Sequence, residues 1–455
     1  MSTKTKPVDM LHGSLWNKIL LFALPVAATA VLEQLFNASD IAVVGSFAKI
    51  KRTESVAAIG AISPVIGLIL NLFIGISLGS NVIIATSLGK GDKATATKAV
   101  HTSVVTAFLA GILVAVIGEL SIAQILKIMM IPEDVYPLTL LYMRIYFSGL
   151  PMILLYNFEA AIFRSIGKTN IPLFALAGSG ILNIILNLFF VIKLHMSVNG
   201  VAIATVLSNT VSAALLFYLL CNTDLDIKIS LGNLKIDFPV LKNILKIGLP
   251  AGIQSAVFAF ANIVIQSAIN SLGTVIMAAS SAAYNIEIIA YYVMNSFSQA
   301  CTTFTGHNYG AGNLKRCKKT LILCLVEGIG ALAISVIIIL TFGKTLISLF
   351  NNDPDVITIG YMRLIIIMAG YTFSLIYEIL SGYLRGFGIS LIPAILTIIG
   401  VCGVRIGWIH FIFPYHKTFS MIMAVYPLSL STTAILILLA VIHYHPSKYL
   451  NKNSN

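Results

Sequence analysis

Runs of about 20 mostly apolar residues, the length that an α-helix needs to cross a bilayer, recur with short polar breaks from Trp16 to His443. Only 10% of the 455 residues are charged and 58% are apolar, whereas soluble domains carry roughly 25% charged residues. So few charges cannot cover a water-soluble surface. The sequence therefore predicts an all-α integral membrane protein.

Twelve membrane helices can be separated by their polar breaks. The opening segment is polar and basic, and no short apolar core with a cleavage site follows it, so we expect the first helix to remain in the mature protein. The predicted helices lie near 16–47, 55–88, 97–118, 136–159, 171–192, 200–220, 240–270, 280–305, 319–341, 357–382, 391–413 and 418–443.

The formal net charge of +12 is explained by topology. The basic residues are dispersed among loops without interleaved aromatic residues, so no nucleic-acid partner is expected. Most of them fall in cytoplasmic loops if both termini are cytoplasmic, as the positive-inside rule requires. Lys49, Lys51 and Arg52 are the exceptions to this predicted orientation.

The second half of the chain repeats landmarks of the first. NKILLFALP (17–25) resembles KNILKIGLP (242–250), GKGDKATATK (89–98) resembles GAGNLKRCKK (310–319), and FRSIGKTNIP (163–172) resembles LRGFGISLIP (384–393). These landmarks predict two six-helix lobes, residues 1–221 and 239–455, joined by a cytoplasmic linker at 222–238. Such parallel repeats are related by a pseudo-two-fold axis along the membrane normal, as in transporters with alternating access.

Polar side chains in the first lobe form a candidate ion site. Glu33, Asn37 and Asp40 are spaced to share one helix face, and burial favours the protonated form of a carboxyl group, which makes Asp40 a candidate proton carrier. Asn183, Asn187 and Thr205 add oxygens that, with a carboxylate, suit Na⁺. The alternative is static hydrogen bonding between helices.

The second lobe contains a candidate substrate site. Tyr284, Glu287 and Tyr291 share a face of the predicted eighth helix, and Glu378 lies in the tenth. Carboxylates and aromatic rings together suit an organic cation. An alternative role for Glu378 is an ion pair with Arg385.

Three further residues are expected to act structurally or in gating. Arg164 and Arg385 occupy equivalent positions at cytoplasmic helix ends and are expected to tie those ends together. Pro25 lies early in the first helix and is a candidate bending point, because proline removes a backbone hydrogen bond.

The chain resembles the multidrug and toxic compound extrusion (MATE) transporters over nearly its whole length. The resemblance rests on LEQLFNASDIAVVGSFA (32–48), SLGKGD (87–92), FRSIGKTNIP, NIILN (183–187), GVAIATV (200–206), HNYGAGN (307–313) and LRGFG (384–388). It implies two lobes in a V, export of amphipathic, often cationic compounds, and coupling to H⁺ or Na⁺ at Asp40 with Asn183 and Thr205.

Two positions depart from the family pattern. Asn187 replaces an acid that often ends the NIILN motif, which removes a negative charge and favours protons over Na⁺. The seventh helix lacks the acid of some relatives and has Gln254 among its polar residues instead. Glu287 is the candidate substitute for that acid.

Other function classes find little support in the sequence. An ATP-driven pump would need a phosphate-binding loop, and SIGKTN lacks its first glycine. The histidines show no grouping for an intramembrane enzyme, and no cofactor beyond the coupling ion is expected. The main alternative is a flippase for a lipid-linked polar substrate. The expected setting is a bacterial cytoplasmic membrane, where the protein acts as a monomer.

Overall fold

The computed structural model describes residues 8–48 and 51–444, and within those ranges the secondary structure is helical throughout. π-Helical turns follow two of the α-helices, at Phe189–Lys193 and Ile398–Gly403. The α-helices in these ranges are α1 Trp16–Phe47, α2 Arg52–Gly89, α3 Lys93–Ile128, α4 Tyr136–Ser165, α5 Asn170–Leu188, α6 Val198–Cys221, α7 Phe238–Asn270, α8 Thr274–Gly310, α9 Leu314–Ser348, α10 Pro354–Gly386, α11 Leu391–Thr397, α12 Val404–Phe411 and α13 Phe419–His443.

Eleven helical segments among the described residues are long and apolar enough to cross a membrane. One of them, Leu391–Tyr415, combines α11, a π-helical turn, α12 and a short 3-10 turn. The twelfth long helix is α8, with 37 residues. Its polar side chains, among them Asn285, Glu287 and Gln299, lower its mean hydropathy. The predicted all-α membrane fold is confirmed, and α8 is its most polar long helix.

The sequence repeat reappears as local structure. Gly91 and Gly312 both have a positive φ, of 76° and 73°, which glycine adopts without steric strain. The next residue in each half caps a helix: the Asp92 carboxylate accepts the Thr95 N–H at 2.9 Å, and Asn313 Oδ1 accepts the Arg316 N–H at 3.0 Å. These caps begin α3 and α9 several residues earlier than the apolar runs alone predict.

One compact unit comprises Ala28–Ile84 and Asp92–Ile244. Its apolar core includes Val44, Met143 and Val201, from α1, α4 and α6, each fully buried. The π-helical turn after α5 adds Val191 to the same core. This packing holds the polar faces of α1, α5 and α6 close together.

The segment between α6 and α7 is fixed to α3 within this unit. His101 Nε2 accepts the Ser230 N–H at 3.0 Å, and Thr102 Oγ1 accepts the Asp237 N–H at 3.0 Å. Lys98 forms an ion pair with Asp237 at 3.2 Å. The Val240 N–H and Lys98 lower the pKa of the Asp237 carboxyl. The segment is therefore a docked connection.

The other unit comprises Asp9–Ala27, Ala85–Gly91 and the chain from Leu245 onward. Within it, the guanidinium group of Arg316 donates hydrogen bonds to the carbonyl oxygens of Met10, His12 and Gly13 at 3.0–3.1 Å. Asn308 Nδ2 donates to the Met10 carbonyl at 3.2 Å. The segment before α1 is thus bound to α8 and α9. The predicted lobe boundaries at 221 and 239 stay a prediction.

Two glycines allow helix ends to approach closely in this second unit. A Cβ atom on Gly89, at the end of α2, would collide with the backbone carbonyl of His307. A Cβ atom on Gly310, at the end of α8, would collide with the backbone carbonyl of Thr86. Only glycine fits at both positions without moving the backbone.

Candidate functional site

The carboxylate of Asp40 in α1 is buried and accepts hydrogen bonds from two other helices. Asn187 Nδ2 of α5 donates to Oδ1 at 2.6 Å, and Thr205 Oγ1 of α6 donates to Oδ2 at 3.0 Å. Asn187 also donates to Asn183 Oδ1 at 3.1 Å, and Asn183 Nδ2 donates to Thr205 Oγ1 at 3.4 Å. The four side chains therefore form a closed ring of hydrogen bonds.

Only uncharged groups hydrogen-bond the Asp40 carboxylate. No Lys or Arg among residues 8–48 and 51–444 comes within 4.0 Å of its oxygens. Asn187 Oδ1 is sealed from solvent and accepts no hydrogen bond. The Thr205 hydroxyl also lies 2.9 Å from the Val201 carbonyl, and its single hydrogen serves one acceptor at a time. The ring thus has an uncompensated negative charge and unused acceptor capacity.

The π-helical turn Phe189–Lys193 begins two residues after Asn187. The C-cap amide of α5, that of Phe189, still bonds Ile185 and Leu186, so α5 is regular up to this turn. Single π-helical turns inside helices occur frequently at functional sites. The wide turn therefore lies directly beside the Asp40 ring.

Asn37 lies outside the Asp40 ring, although it was expected to share a face with Asp40. Its side chain is exposed, whereas Asp40 is 6% exposed and Glu33 is half-buried. Residues three apart are rotated by about 60° around a helix axis. That rotation is enough to direct Asn37 away from α5 and α6.

Glu287 in the second unit forms an ion pair with Arg363, a partner that was not predicted from the sequence. Arg363 Nη2 donates to Glu287 Oε1 at 2.6 Å, and Nε donates to Oε2 at 3.0 Å. Arg363 Nη1 donates to Ser280 Oγ at 2.6 Å. Both charged side chains are nearly fully buried, at 3% and 4% exposure. The negative charge of Glu287 is therefore neutralised within the protein.

Arg405 in α12 lies near this ion pair. It was not among the site residues predicted from the sequence. Both guanidinium groups lie near the ring of Tyr426, at 5.7 Å from its centre for Arg363 and 4.5 Å for Arg405. Arg363 and Arg405 hydrogen-bond residues of helices that are distant in sequence, so the sequence alone could not identify these partners.

The other predicted substrate residues make contacts separate from the Glu287–Arg363 ion pair. Arg385 Nη2 donates to Gln254 Oε1 at 3.5 Å, and Gln254 Nε2 donates to Thr397 Oγ1 at 3.2 Å. Glu378 is buried but makes no ion pair with Arg385 within 4.0 Å. Tyr284 is 44% exposed. Among the described residues, Glu287 is hydrogen-bonded by Arg363 and by none of these groups.

The remaining predicted residues lie along helices. Tyr291 is half-buried in α8, where its ring lies 6.1 Å from that of Tyr292. Arg164 is half-buried in the last turn of α4, and Pro25 lies inside α1.

Two buried acids outside the predicted set, Glu159 and Glu327, have no hydrogen-bond partner among the described residues for either carboxyl oxygen.

The described residues contain no group of three His, Cys, Asp or Glu side chains that could hold a metal ion. The Asp40 ring offers oxygens of the kind that bind a hard cation. They comprise one carboxylate, two amide oxygens and one hydroxyl.

Comparison with known proteins places the chain in a family. A model of the MatE family matches residues 25–189 and 250–409. A protein described as "Probable multidrug resistance protein YoeA", from Bacillus subtilis (strain 168), is 27% identical over 416 residues, covering 89% of this chain and 87% of that protein. "Probable multidrug resistance protein NorM" from Thermotoga maritima is 26% identical over 397 residues, covering 86% and 84%.

A solved structure has the same fold. An outward-facing multidrug resistance MATE transporter of the MOP superfamily superposes with a TM-score of 0.87 at 24% identity, covering 96% of this chain and 97% of that one. The family model matches both halves and more than half of this chain. The chain therefore belongs to the MatE family of multi-pass membrane transporters and is a transporter, not an enzyme.

Proposed function

We propose that the protein exports small amphipathic organic compounds in exchange for a cation that binds at Asp40. The observation that supports this most directly is a buried carboxylate that, among the described residues, is bonded only to uncharged donors, at the junction of three membrane helices. A charge within a bilayer is costly and needs a partner or a function. Relatives described as multidrug resistance proteins support the substrate class.

A proton is the coupling ion that the ring suits best. When Asp40 is ionised, its two oxygens accept hydrogen bonds from Asn187 and Thr205. When Asp40 is protonated, its carboxyl O–H needs an acceptor. Asn187 Oδ1 is an acceptor to which no described group donates. Rotation of the Asn187 amide would satisfy both groups. Proton binding would thereby rearrange the contact between α1 and α5.

Na⁺ is the alternative coupling ion. The two carboxylate oxygens of Asp40, the amide oxygens of Asn183 and Asn187 and the hydroxyl of Thr205 are hard ligands that suit it. With a single carboxylate in the ring, however, the site offers Na⁺ only one negative charge.

Transport by alternating access would link ion binding to substrate release. Cation binding at Asp40 would favour release outside, and bending of α1 at Pro25 remains the proposed movement. We place the protein as a monomer in a bacterial cytoplasmic membrane with both termini inside. Cationic amphiphiles remain proposed substrates, with Glu378, Tyr284 and Tyr291 as candidate contacts.

A flippase for a lipid-linked anion is the second candidate function. The observation that favours it is the presence of Arg363 and Arg405 within the second unit. It is the weaker candidate because Glu287 already neutralises Arg363.

The test is ethidium uptake into everted vesicles, whose cytoplasmic face points outward so that export appears as accumulation inside, measured with a pH gradient, with a Na⁺ gradient and with neither. We expect wild type to export ethidium with the pH gradient and Asp40→Asn to lose that export at equal expression. Glu119→Gln is the matched control, because Glu119 is a half-exposed acid of the same unit that pairs with Arg144. Full export by Asp40→Asn would disprove coupling at this residue, and no export by wild type would favour the flippase.

A further inference from the structure

Arg405 is a buried cation in the second unit. Its side chain is 2% exposed and lies near the middle of the span Leu391–Tyr415, two residues after a π-helical turn ends. None of the acids among residues 8–48 and 51–444 comes within 4.0 Å of its guanidinium group. Burying a charge that is not paired is strongly unfavourable.

The described groups that hydrogen-bond Arg405 or stack on its guanidinium group are all neutral. Nε donates to Ser429 Oγ at 3.2 Å, and Nη1 donates to Asn262 Oδ1 at 2.9 Å. The guanidinium carbon lies 4.5 Å from the ring centre of Tyr426 and 5.2 Å from that of Phe258. Aromatic faces and neutral oxygens offset part of the desolvation cost, but they leave the full positive charge.

Arg405 has N–H donors that bond no described residue. A guanidinium group has five N–H bonds in a planar fork that matches the two oxygens of a carboxylate or phosphate. Only Nε and Nη1 hydrogen-bond described residues, and Nη2 bonds none of them. Nη2 is also not completely sealed from solvent.

Arg363, in the same unit, is a buried arginine whose charge is paired. It binds both oxygens of Glu287 and the hydroxyl of Ser280. The two arginines share Tyr426 between them, so the cluster of Arg363, Arg405 and Glu287 has two positive charges and one negative charge. One oxyanion would bring it to neutrality.

We propose that Arg405 binds the carboxylate or phosphate group of an amphipathic organic molecule, so that the transporter accepts anionic or zwitterionic substrates. The proposal deepens the proposed export function and rests on it for the direction of transport. Ser429, Asn262 and Tyr426 position the guanidinium group, and Nη2, which bonds no described residue, would donate to the ligand. The same chemistry could come from a dissolved amphiphile or from an anionic lipid headgroup.

The test uses dansyl-labelled undecanoate and its methyl ester, which differ only in the charged group. Each is titrated by fluorescence against the purified full chain in dodecyl maltoside. We expect wild type to bind the acid about tenfold more tightly than the ester, because charge-assisted hydrogen bonds are the strong ones. Arg405→Gln should abolish this preference, and Arg405→Lys should retain part of it, since the charge remains but the fork is lost.

The control is Arg144→Gln, which removes an exposed arginine from the other unit and should keep the preference. Equal binding of acid and ester by wild type, or an unchanged preference in Arg405→Gln, would overturn the proposal. If Arg405→Gln does not fold, the comparison of wild type with Arg405→Lys decides. Repeating the titration in phosphatidylcholine vesicles with and without phosphatidylglycerol identifies the source: competition by phosphatidylglycerol assigns the site to a lipid headgroup.

The two proposals fail separately. Ethidium efflux by wild type tests export without reference to Arg405. A protein that exports ethidium but shows no acid preference would lose only the oxyanion site. A protein that prefers the acid but exports nothing would keep the site and lose the export function.

Discussion

Glu287 and Arg363 form a two-pronged ion pair between α8 and α10, with N–O distances of 2.6 and 3.0 Å. The sequence YMR occurs at 142–144 and again at 361–363, so Arg144 corresponds to Arg363. Arg144 pairs with Glu119 at 2.8 Å, but that pair is about half exposed. The two pairs share their chemistry and differ in burial.

Arg363→Met should therefore destabilise the protein far more than Arg144→Met. Breaking a buried pair leaves a charge without compensation and costs about 3–5 kcal/mol, whereas an exposed pair contributes at most about 1 kcal/mol. Thermal unfolding of the purified variants in detergent measures both effects. The double variant Glu287→Leu/Arg363→Met should recover much of the loss, and equal effects at the two sites would contradict a structural role for Glu287.

Asn187→Asp should convert the Asp40 ring into a Na⁺ site. A second carboxylate would face Asp40 where Asn187 Nδ2 now donates at 2.6 Å. One added charge about 4 Å from a cation is worth about 4 kcal/mol at an effective dielectric constant of about 20. The Na⁺ concentration for half-maximal efflux should fall at least about tenfold.

Asn209→Asp is the control for that variant. Asn209 hydrogen-bonds the Thr205 carbonyl at 2.8 Å and does not contact the Asp40 carboxylate. An equal gain of Na⁺ dependence from Asn209→Asp would show that any added charge in this unit suffices, against a specific ring.

Arg316→Ala should release the segment before α1. Hydrogen bonds from a charged donor are worth about 1.5–3 kcal/mol each, and Arg316 makes three to backbone carbonyls there. Amide hydrogen exchange in residues 9–15, followed by mass spectrometry, should rise about tenfold or more. Lys315→Ala removes an exposed neighbouring charge and should leave exchange unchanged. Unchanged exchange in Arg316→Ala would mean that Asn308 and apolar burial suffice.

Gly89→Ala and Gly310→Ala should each destabilise the second unit. The new methyl group would meet backbone, which cannot move aside as a side chain can, and overpacking typically costs about 1–3 kcal/mol. Gly67→Ala is the control, because a Cβ atom added there would have nothing within 4 Å. Thermal unfolding should show no loss for Gly67→Ala, and losses as small at Gly89 and Gly310 would argue against a close crossing.

The sequence predicted the fold well because long apolar runs identify most of the helices that cross a membrane. Helix ends were predicted less well, since α3 begins at a cap made by Asp92 and not where hydrophobicity begins. The polar character of α8 could be read from its side chains, but only the structure shows that Arg363 neutralises Glu287.

The two candidate sites differ in how far the sequence could specify them. Asp40, Asn183, Asn187 and Thr205 were grouped through short motifs and a family resemblance, and the structure brings them together. Arg405 could not be related to Asn262 or Ser429, because such contacts depend on how helices rotate and cross.

The close crossing of α2 and α8 has a form familiar from symmetric dimers. Gly89 approaches His307 while Gly310 approaches Thr86, and in the aligned repeats Gly310 corresponds to Gly89 and His307 to Thr86. Such a reciprocal arrangement is an isologous contact, in which each of two equivalent patches meets the other. A two-fold dimer of a chain half this length would make the same contact, which here lies within a single chain.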